Sequence, residues 1–350
     1  NDCGLRLVDT SCNTISENII SNNDYGIRFS TNCRNNTIIG NNIFSNKFRG
    51  IRLEASDGNT IMKNIVSNNG NGIRLEDSYY NLIFKNYISN NGNGLDLYSS
   101  IGTTVLENTF FNDGLQIYDS YQNIVSNNTV NGKLLVYMEE ESNKVLDEAG
   151  QVILVNCENI TVQNQEISDI TYGIELWQTN NSLIVNNSLR SNYYDGIYLY
   201  SSKNNTIIGN TLKNNENGIA LDYTDRNIIT NNIISNNVYG LHLYESGNNI
   251  NISSNNISNN LYGIQLFFSH DITITNNSFS NNNFGISLLS YSSNIDIFDV
   301  TYILAYLYLS GPAPRIPGSA DVNGDNAVNI FDVTYFIGYL YFDGPALHCQ

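Results

Sequence analysis

The chain has 350 residues, a formal net charge of −17 and a pI near 4.3, with 41% hydrophobic and only 14% charged residues. This negative balance argues against binding to nucleic acid or to anionic membrane surfaces, because both require clustered Lys and Arg. No apolar run approaches the ~20 residues needed to cross a bilayer, so no membrane span is expected. The five cysteines have no CxxC pair and predict neither a disulfide framework nor a zinc site.

From residue 1 to about residue 290, one phrase recurs about every 22 residues: a glycine followed by apolar–any–apolar, as in GIRL and GIYL. The tetrads begin at Gly4, Gly26, Gly50, Gly72, Gly94 and Gly114, and again at Gly173, Gly196, Gly218, Gly240, Gly263 and Gly285. Text such as NNTIIGNNIFSN (residues 35–46) lies between them. Short, β-branched, alternating stretches indicate half-buried strands, and Gly and Asn suit the corners between them.

A repeat of this length, with three short strands and three corners, predicts one coil of a parallel β-helix. The repeat text resembles that of NosD-type β-helix proteins, also described as carbohydrate-binding and sugar-hydrolase (CASH) repeats. The expected fold for residues 1–290 is therefore an all-β solenoid, a right-handed single-stranded parallel β-helix of about 12–13 coils. Isoleucines should stack inside it, and asparagines should form hydrogen-bonded ladders at its corners.

Two ordinary coils do not fill the interval between Gly114 and Gly173, which leaves a surplus of roughly 15 residues if each coil takes about 22. The irregular segment 132–164 resembles an insertion in members of the same family, and the surplus is expected in its acidic loop, 139–150 (EEESNKVLDEAG). A solvated loop is the favoured interpretation. A lid or a cation-binding loop is the alternative.

The second and fourth residues after each tetrad glycine should point outward, because successive side chains on a strand alternate between its faces. The fourth-position column is rich in aromatic residues: Tyr98, Tyr118, Trp177, Tyr200, Tyr244 and Phe267. Exposed aromatic rows are typical of binding surfaces, so this column is a candidate carbohydrate-binding face. The alternative is a ladder of aromatic neighbours that only stabilises the sheet.

Evidence for catalysis in the repeats is thin. Glu54 and Glu76 lie on adjacent rungs, at a spacing that suits retaining glycosidases, but each has an arginine beside it (Arg52, Arg74). A solvated charge lattice is the favoured reading. Asp222 and Asp225 could bind a cation but lack an obvious partner. Copper, to which NosD is linked, needs soft or imidazole ligands, and the candidates are scattered: His242, His270, His348, Met62 and Met138.

Near residue 290 the text changes to two copies of one phrase, NIDIFDVTYILAYLYLSGPAP and NAVNIFDVTYFIGYLYFDGPA. The second copy follows a loop, DVNGDNAVNIFD (residues 321–332), with oxygen-bearing groups at the spacing of a 12-residue calcium loop. The predicted Ca²⁺ ligands are Asp321, Asn323, Asp325, the Ala327 carbonyl, Asn329 and Asp332. Apolar residues at helical spacing come next and predict a helix.

Residues 291–350 resemble a type I dockerin, which implies a small α-helical, EF-hand-like module that binds Ca²⁺ and docks on a cohesin-like domain. The first loop departs from the pattern, because Leu288, Ser290 and Ser292 occupy positions where ligands are expected. Only Asp296 and Asp299 are retained, so one calcium site is expected. The docking candidates are Ile297, Phe298, Ile330 and Phe331.

The favoured function is an exported, extracellular or cell-surface β-helix that binds a polysaccharide or other glycan and is tethered by its dockerin-like module. The alternatives are a polysaccharide lyase or glycoside hydrolase on the same fold, and a purely structural adhesion stalk. No nucleophile–base motif supports the enzymatic alternative, and fold alone cannot exclude it.

Overall fold

A computed structural model of the chain describes residues 1–298, and every regular element in this range is a β-strand. Strands β1 to β18 are, in order, Cys3–Val8, Thr14–Ser16, Ile19–Ser21, Tyr25–Ser30, Thr37–Ile39, Asn42–Phe44, Arg49–Glu54, Thr60–Met62, Ile65–Ser67, Asn71–Glu76, Leu82–Phe84, Tyr87–Ser89, Leu95–Tyr98, Thr104–Leu106, Thr109–Phe111, Leu115–Tyr118, Ile124–Ser126 and Thr129–Val130.

Strands β19 to β40 are Lys133–Glu139, Val145–Leu146, Gln151–Val155, Thr161–Gln163, Glu166–Ser168, Ile174–Trp177, Leu183–Val185, Ser188–Arg190, Asp195–Tyr200, Thr206–Ile208, Thr211–Lys213, Asn217–Asp222, Ile228–Thr230, Ile233–Ser235, Tyr239–Tyr244, Ile250–Ser253, Asn256–Ser258, Tyr262–Phe267, His270–Thr275, Ser278–Ser280, Phe284–Leu289 and Ser293–Phe298.

These strands build an all-β solenoid of the right-handed type with about 13 turns, as the repeats predict. In the first run of coils, each coil gives one strand to each of three parallel sheets, ordered β1-β4-β7-β10-β13-β16, β2-β5-β8-β11-β14-β17 and β3-β6-β9-β12-β15-β18. Equivalent residues pair from rung to rung, so that Ile51 lies beside Ile27 and Ile73. Their side chains stack in the interior and are fully buried. Each such burial stabilises the fold by about 1.5–3 kcal/mol.

Asparagine ladders run along the corners, also as predicted. Asn210, for example, accepts from the backbone and side-chain nitrogens of Asn187, both at 2.9 Å, and donates to Asn232 at 3.0 Å. At the corners one residue takes a left-handed backbone conformation, such as Asn68 with φ 54°. Asn tolerates that conformation better than most residues, which explains its abundance at the turns.

The tetrad glycines are required by the close approach of neighbouring rungs. A Cβ on Gly218 would lie 2.6 Å from the carbonyl oxygen of Gly240, a distance at which the backbone would have to shift. The same crowding repeats along the tetrads, so the repeated glycine reflects packing between coils.

The two runs of repeats meet at a junction where the coil path changes sheets. Strand β18 forms an antiparallel pair with β19, and β19 pairs in parallel with β21. One 14-stranded sheet therefore joins the third strands of the first run to the tetrad strands of the second, in the order β18-β19-β21-β24-β27. The tetrads before and after the junction therefore lie on different sheets, although the ring of Tyr118 contacts those of Trp177 and Tyr200 across it.

The acidic segment 139–150 is part of this junction. Glu139 ends β19, β20 lies within the segment, and Ser142 forms a parallel bridge with Glu158. The interval between the tetrad runs thus contains a shortened coil built from β19 and β20. The roughly 15 residues beyond two ordinary coils therefore belong to the solenoid, because they pair with the next coil.

At the other end, the solenoid continues past the expected boundary at residue 290. Strand β40 pairs in parallel with β37, with Ile295 beside Ile272 and Ile297 beside Ile274. The Ile297 side chain is partly buried and packs against the core, and its role in docking stays a prediction. Phe298 is the last residue of β40. The calcium ligands 321–332 and docking candidates Ile330 and Phe331 lie outside the described residues.

Candidate functional site

The first tetrad sheet carries a ladder of ion pairs on its outward face. The pairs between rungs are Arg28–Glu54 at 3.2 Å, Arg52–Glu76 at 2.8 Å and Arg74–Asp96 at 2.6 Å. Arg52 and Arg74 also reach the carboxylate of their own rung, each at 3.3 Å. Every carboxylate of the lattice is thus paired with arginine. Glu54 and Glu76 are therefore better interpreted as part of a charge lattice than as a catalytic pair. An acid catalyst must hold a proton, and adjacent guanidinium groups disfavour the protonated form of a carboxyl group.

The ladder ends at β16, whose exposed edge is covered by side chains of the second run. The Gln151 side chain mimics a peptide: its Oε1 accepts from Leu115 N–H at 2.9 Å, and its Nε2 donates to the Leu115 carbonyl at 2.6 Å. The carboxylate of Glu175 lies against the backbone of Ile117 and accepts from Trp177 Nε1 at 3.3 Å. Because β16 covers the outward face of β21 and β24, both strands are buried on both faces.

A cleft opens beside this covered edge, where the first tetrad sheet meets the second. It consists of two adjoining cavities of about 320 and 550 Å³. Both are lined by Gln116, Tyr118, Tyr172 and Tyr194, and Gln116 Nε2 donates to the Tyr172 hydroxyl at 3.2 Å. The cleft is therefore continuous across the junction, with hydroxyl and amide groups along its walls.

Two acids of the second run line the larger cavity. Asp195 is 4% exposed and accepts from Asn217 Nδ2 at 2.6 Å, and its burial raises its pKa to about 8. Asp222 accepts from the Tyr198 hydroxyl at 3.0 Å, and burial raises its pKa to about 6. Both shifts have the same cause, since removal of a carboxylate from water disfavours its charged form. At neutral pH Asp195 is mostly a protonated acid.

The predicted aromatic column is present, and several of its rings stack on one another. Trp177 is only 1% exposed and packs on Tyr200, with ring centroids 4.5 Å apart. Tyr98 and Tyr118 stack at 4.9 Å with nearly parallel planes, and so do Tyr244 and Phe267 at 5.6 Å. Rings stacked in this way cover each other's faces. Trp177 is therefore not the exposed ring that was expected, whereas the other five residues of the column are half-buried and several of them line the cleft. Carbohydrate binding by this column stays a prediction.

Several residues that line the cleft occupy a position of the repeat that was not predicted to be functional, the residue just before the tetrad glycine. Tyr172 and Asp195 occupy this position on β24's coil and on β27, and Asn217 occupies it on β30. Aromatic residues recur there along the second run (Tyr239, Tyr262 and Phe284), and these three stack in order. That recurrence is the signal by which this position could have been found.

The remaining candidates lie apart from the cleft or have partners. Asp225 pairs with Lys203 at 2.9 Å and accepts from Asn248 at 2.9 Å, so Asp222 and Asp225 do not form a shared cation site. Cys3, Cys12, Cys33 and Cys157 are free thiols. In residues 1–298 no helix is long and apolar enough to cross a membrane.

The repeats match the family model described as periplasmic copper-binding protein (NosD), over residues 1–135 and 123–295. The chain belongs to the NosD family. No protein with a curated function matches it.

Several solved β-helix structures are distantly similar to this NosD-family chain. The A-module of mannuronan C-5 epimerase AlgE6 from Azotobacter vinelandii is 12% identical, with a TM-score of 0.32, over 82% of this chain and 90% of that one. The periplasmic alginate epimerase AlgG is 14% identical, with a TM-score of 0.39, over 78% and 76%. The catalytic domain of a GH87 α-1,3-glucanase is 16% identical, with a TM-score of 0.36, over 84% and 63%.

The copper named in the family description can be tested against the residues of this NosD-family chain. Within residues 1–298 no three His, Cys, Asp or Glu side chains come together in a way that could hold a metal ion. His242 lies in the cleft on β33, whereas His270 lies on β37 in a different sheet and contacts Asp271. Copper prefers imidazole and sulfur ligands in one place. The described residues do not fit a copper centre.

Proposed function

We propose that this protein binds a polysaccharide in the cleft at the junction of its two tetrad sheets. The observation that carries the proposal is the cleft itself, continuous over two cavities and lined by tyrosine hydroxyls, amides and carboxyls. Sugar hydroxyls need such donors and acceptors, and the apolar faces of sugar rings pack on aromatic side chains. The two cavities share four lining residues, so one chain of linked sugar units could occupy both.

A glycan array followed by calorimetry tests the proposal. Tyr194→Ala should weaken binding about tenfold or more, because Tyr194 lines both cavities. Tyr87→Ala is the matched control, since Tyr87 is 43% exposed on β12, away from the cleft. Binding that is absent, or equally affected by both substitutions, would refute the assignment and leave the structural stalk.

Cleavage of the bound chain is the second candidate function. It is favoured by Asp195, a buried acid in the cleft whose pKa of about 8 keeps a proton available at neutral pH. Glycosidases need an acid of this kind to protonate the leaving oxygen. Release of reducing ends from an array-positive polysaccharide, abolished by Asp195→Asn, would establish hydrolysis; release of unsaturated uronates would indicate a lyase.

We further propose that the part of the chain after β40 tethers the protein through calcium, a proposal that rests on the sequence of the loop 321–332. Asp321, Asn323 and Asp325 would supply side-chain ligands at the spacing Ca²⁺ prefers, and a cohesin-like domain would be the docking partner. Calorimetry of the full chain should find one tight Ca²⁺ site that Asp321→Ala removes. A stoichiometry of zero or two would refute the one-loop assignment.

The proposed location is outside the cytoplasm, at the cell exterior. The family description names a periplasmic protein, and polysaccharide binding with a calcium-dependent tether is useful mainly outside the cell. Fractionation of cells that express the full-length gene product tests this proposal, with recovery in the cytoplasmic fraction as the contrary result.

A further inference from the structure

The larger cavity of the cleft is lined by acidic side chains that have no positively charged side chain beside them. Three acids line it, namely Asp195, Glu216 and Asp222. None of its lining residues is Lys or Arg, and its one imidazole, His242, has a pKa lowered by burial and is therefore neutral at pH 7. This differs from the first tetrad sheet, where each acid of the lattice has an arginine. Among residues 1–298, no positively charged side chain lines the cavity to pair with these carboxyls.

Asp195 is the most buried of these three acids. It is 4% exposed, lines the cavity, and accepts a hydrogen bond from Asn217 at Oδ1, the one hydrogen-bond partner that its carboxyl has within residues 1–298. Burial of a carboxylate without a cation is costly, so the group stays protonated until a partner arrives. A ligand cation placed at Asp195 would supply that partner.

Aromatic rings surround the same acid. Burial raises the pKa of the phenols of Tyr172, Tyr194 and Tyr198, and each lies close enough to Asp195 for that carboxyl to raise its pKa further. The ring centroid of Tyr172 lies 5.2 Å from that of Tyr194 and 5.8 Å from that of Tyr198, and the ring planes are tilted. Cations are attracted to ring faces, and an ammonium group between rings and a carboxylate gains from both. Neither feature suits a uronate, whose negative charge would meet the acids.

We propose that the larger cavity recognises an amino sugar, an unacetylated hexosamine unit of a polysaccharide, with its ammonium group held by Asp195 and the surrounding tyrosines. The proposal rests on the proposed carbohydrate-binding function and names its ligand class. Asp222, fixed by the Tyr198 hydroxyl on the next rung, would accept from a sugar hydroxyl or from a second ammonium group along the chain.

Calorimetry on the intact protein at pH 7 compares the β-1,4-linked hexasaccharide of glucosamine with those of N-acetylglucosamine and glucose. The glucosamine oligomer should bind about tenfold or more tighter than the other two, the scale of one charge-assisted hydrogen bond. Asp195→Asn should remove that preference, so that the glucosamine and N-acetylglucosamine oligomers then bind with similar affinity. Asp147→Asn, an exposed acid outside the cleft, is the matched control and should change nothing.

Proton release gives a second readout, which a merely structural role of Asp195 would not produce. Because Asp195 holds a proton at pH 7 while the amines of the oligomer are only partly protonated there, the wild-type protein should release more protons than Asp195→Asn on binding the glucosamine oligomer, measured from the dependence of the heat on buffer ionisation. The acetylated oligomer should release none from either protein.

The outcomes separate this inference from the function beneath it. Equal binding of all three oligomers overturns amino-sugar recognition and leaves carbohydrate binding standing. Equal binding of a lysine hexapeptide overturns it as well, because charge alone would then be recognised. Binding of none of the three saccharides overturns amino-sugar recognition, and the glycan array then decides whether carbohydrate binding fails with it.

Discussion

Asn255 and Asn256 allow the ladder to be tested with two adjacent residues of the same type. Asn255 is 1% exposed, and its side chain makes four hydrogen bonds of 2.9 Å: Oδ1 accepts from the backbone and side-chain nitrogens of Asn232, and Nδ2 donates to Ile229 O and Asn277 Oδ1. Asn256 lies on β35 with an exposed side chain. Alanine at the two positions should therefore have very different effects.

The magnitude follows from the groups left without a partner. Asn232 Nδ2 keeps its bond to Ile207 O, and Asn277 Oδ1 keeps its bond from the Asn255 backbone. The Asn232 N–H and the Ile229 carbonyl lose their side-chain partner in the interior. At about 1–3 kcal/mol for each orphaned group, Asn255→Ala should lower the free energy of unfolding by about 2–6 kcal/mol.

Urea unfolding followed by circular dichroism measures the difference, and hydrogen exchange at the Asn232 amide checks that the loss is local. Asn256→Ala should change the unfolding free energy by less than about 0.5 kcal/mol, as for an exposed site. If the two variants were equally stable, the ladders would contribute little, and the abundance of Asn would have to be explained by corner conformation alone.

Three further predictions concern the rungs, the junction and the cleft. Gly218→Ala should destabilise the fold by roughly 1–3 kcal/mol in urea unfolding because its Cβ meets the next rung, whereas Gly285→Ala, where that space is open, should be near neutral. Gln151→Ala should cost about 2–5 kcal/mol in the same assay, because both backbone groups of Leu115 lose their partner. The folded-state pKa of Asp195, about 8, exceeds its unfolded value, so the native state binds more protons between pH 4 and 8. Stability should therefore fall as pH rises through this window, and thermal melts of Asp195→Asn should show a smaller fall.

The repeats determined the solenoid almost completely. A glycine that must admit the next rung, isoleucines that alternate into the interior and asparagines that bond from coil to coil are each local rules, repeated at every turn. For this reason the strands, the stacked core and the Asn ladders could all be predicted from text such as GIRL and NNTIIGNN. The ion-pair lattice of Arg52 and Glu76 could be read in the same way.

Tertiary structure decided the site. The junction turns the second tetrad run onto another sheet, and nothing in the repeat text encodes the geometry with which β16 then covers β21 and β24. That contact buries Trp177, which periodicity alone places outside, and brings Gln116 beside Tyr172 across 56 positions of sequence. Periodicity fixes which way a side chain points from its own strand; only long-range packing fixes what it meets there.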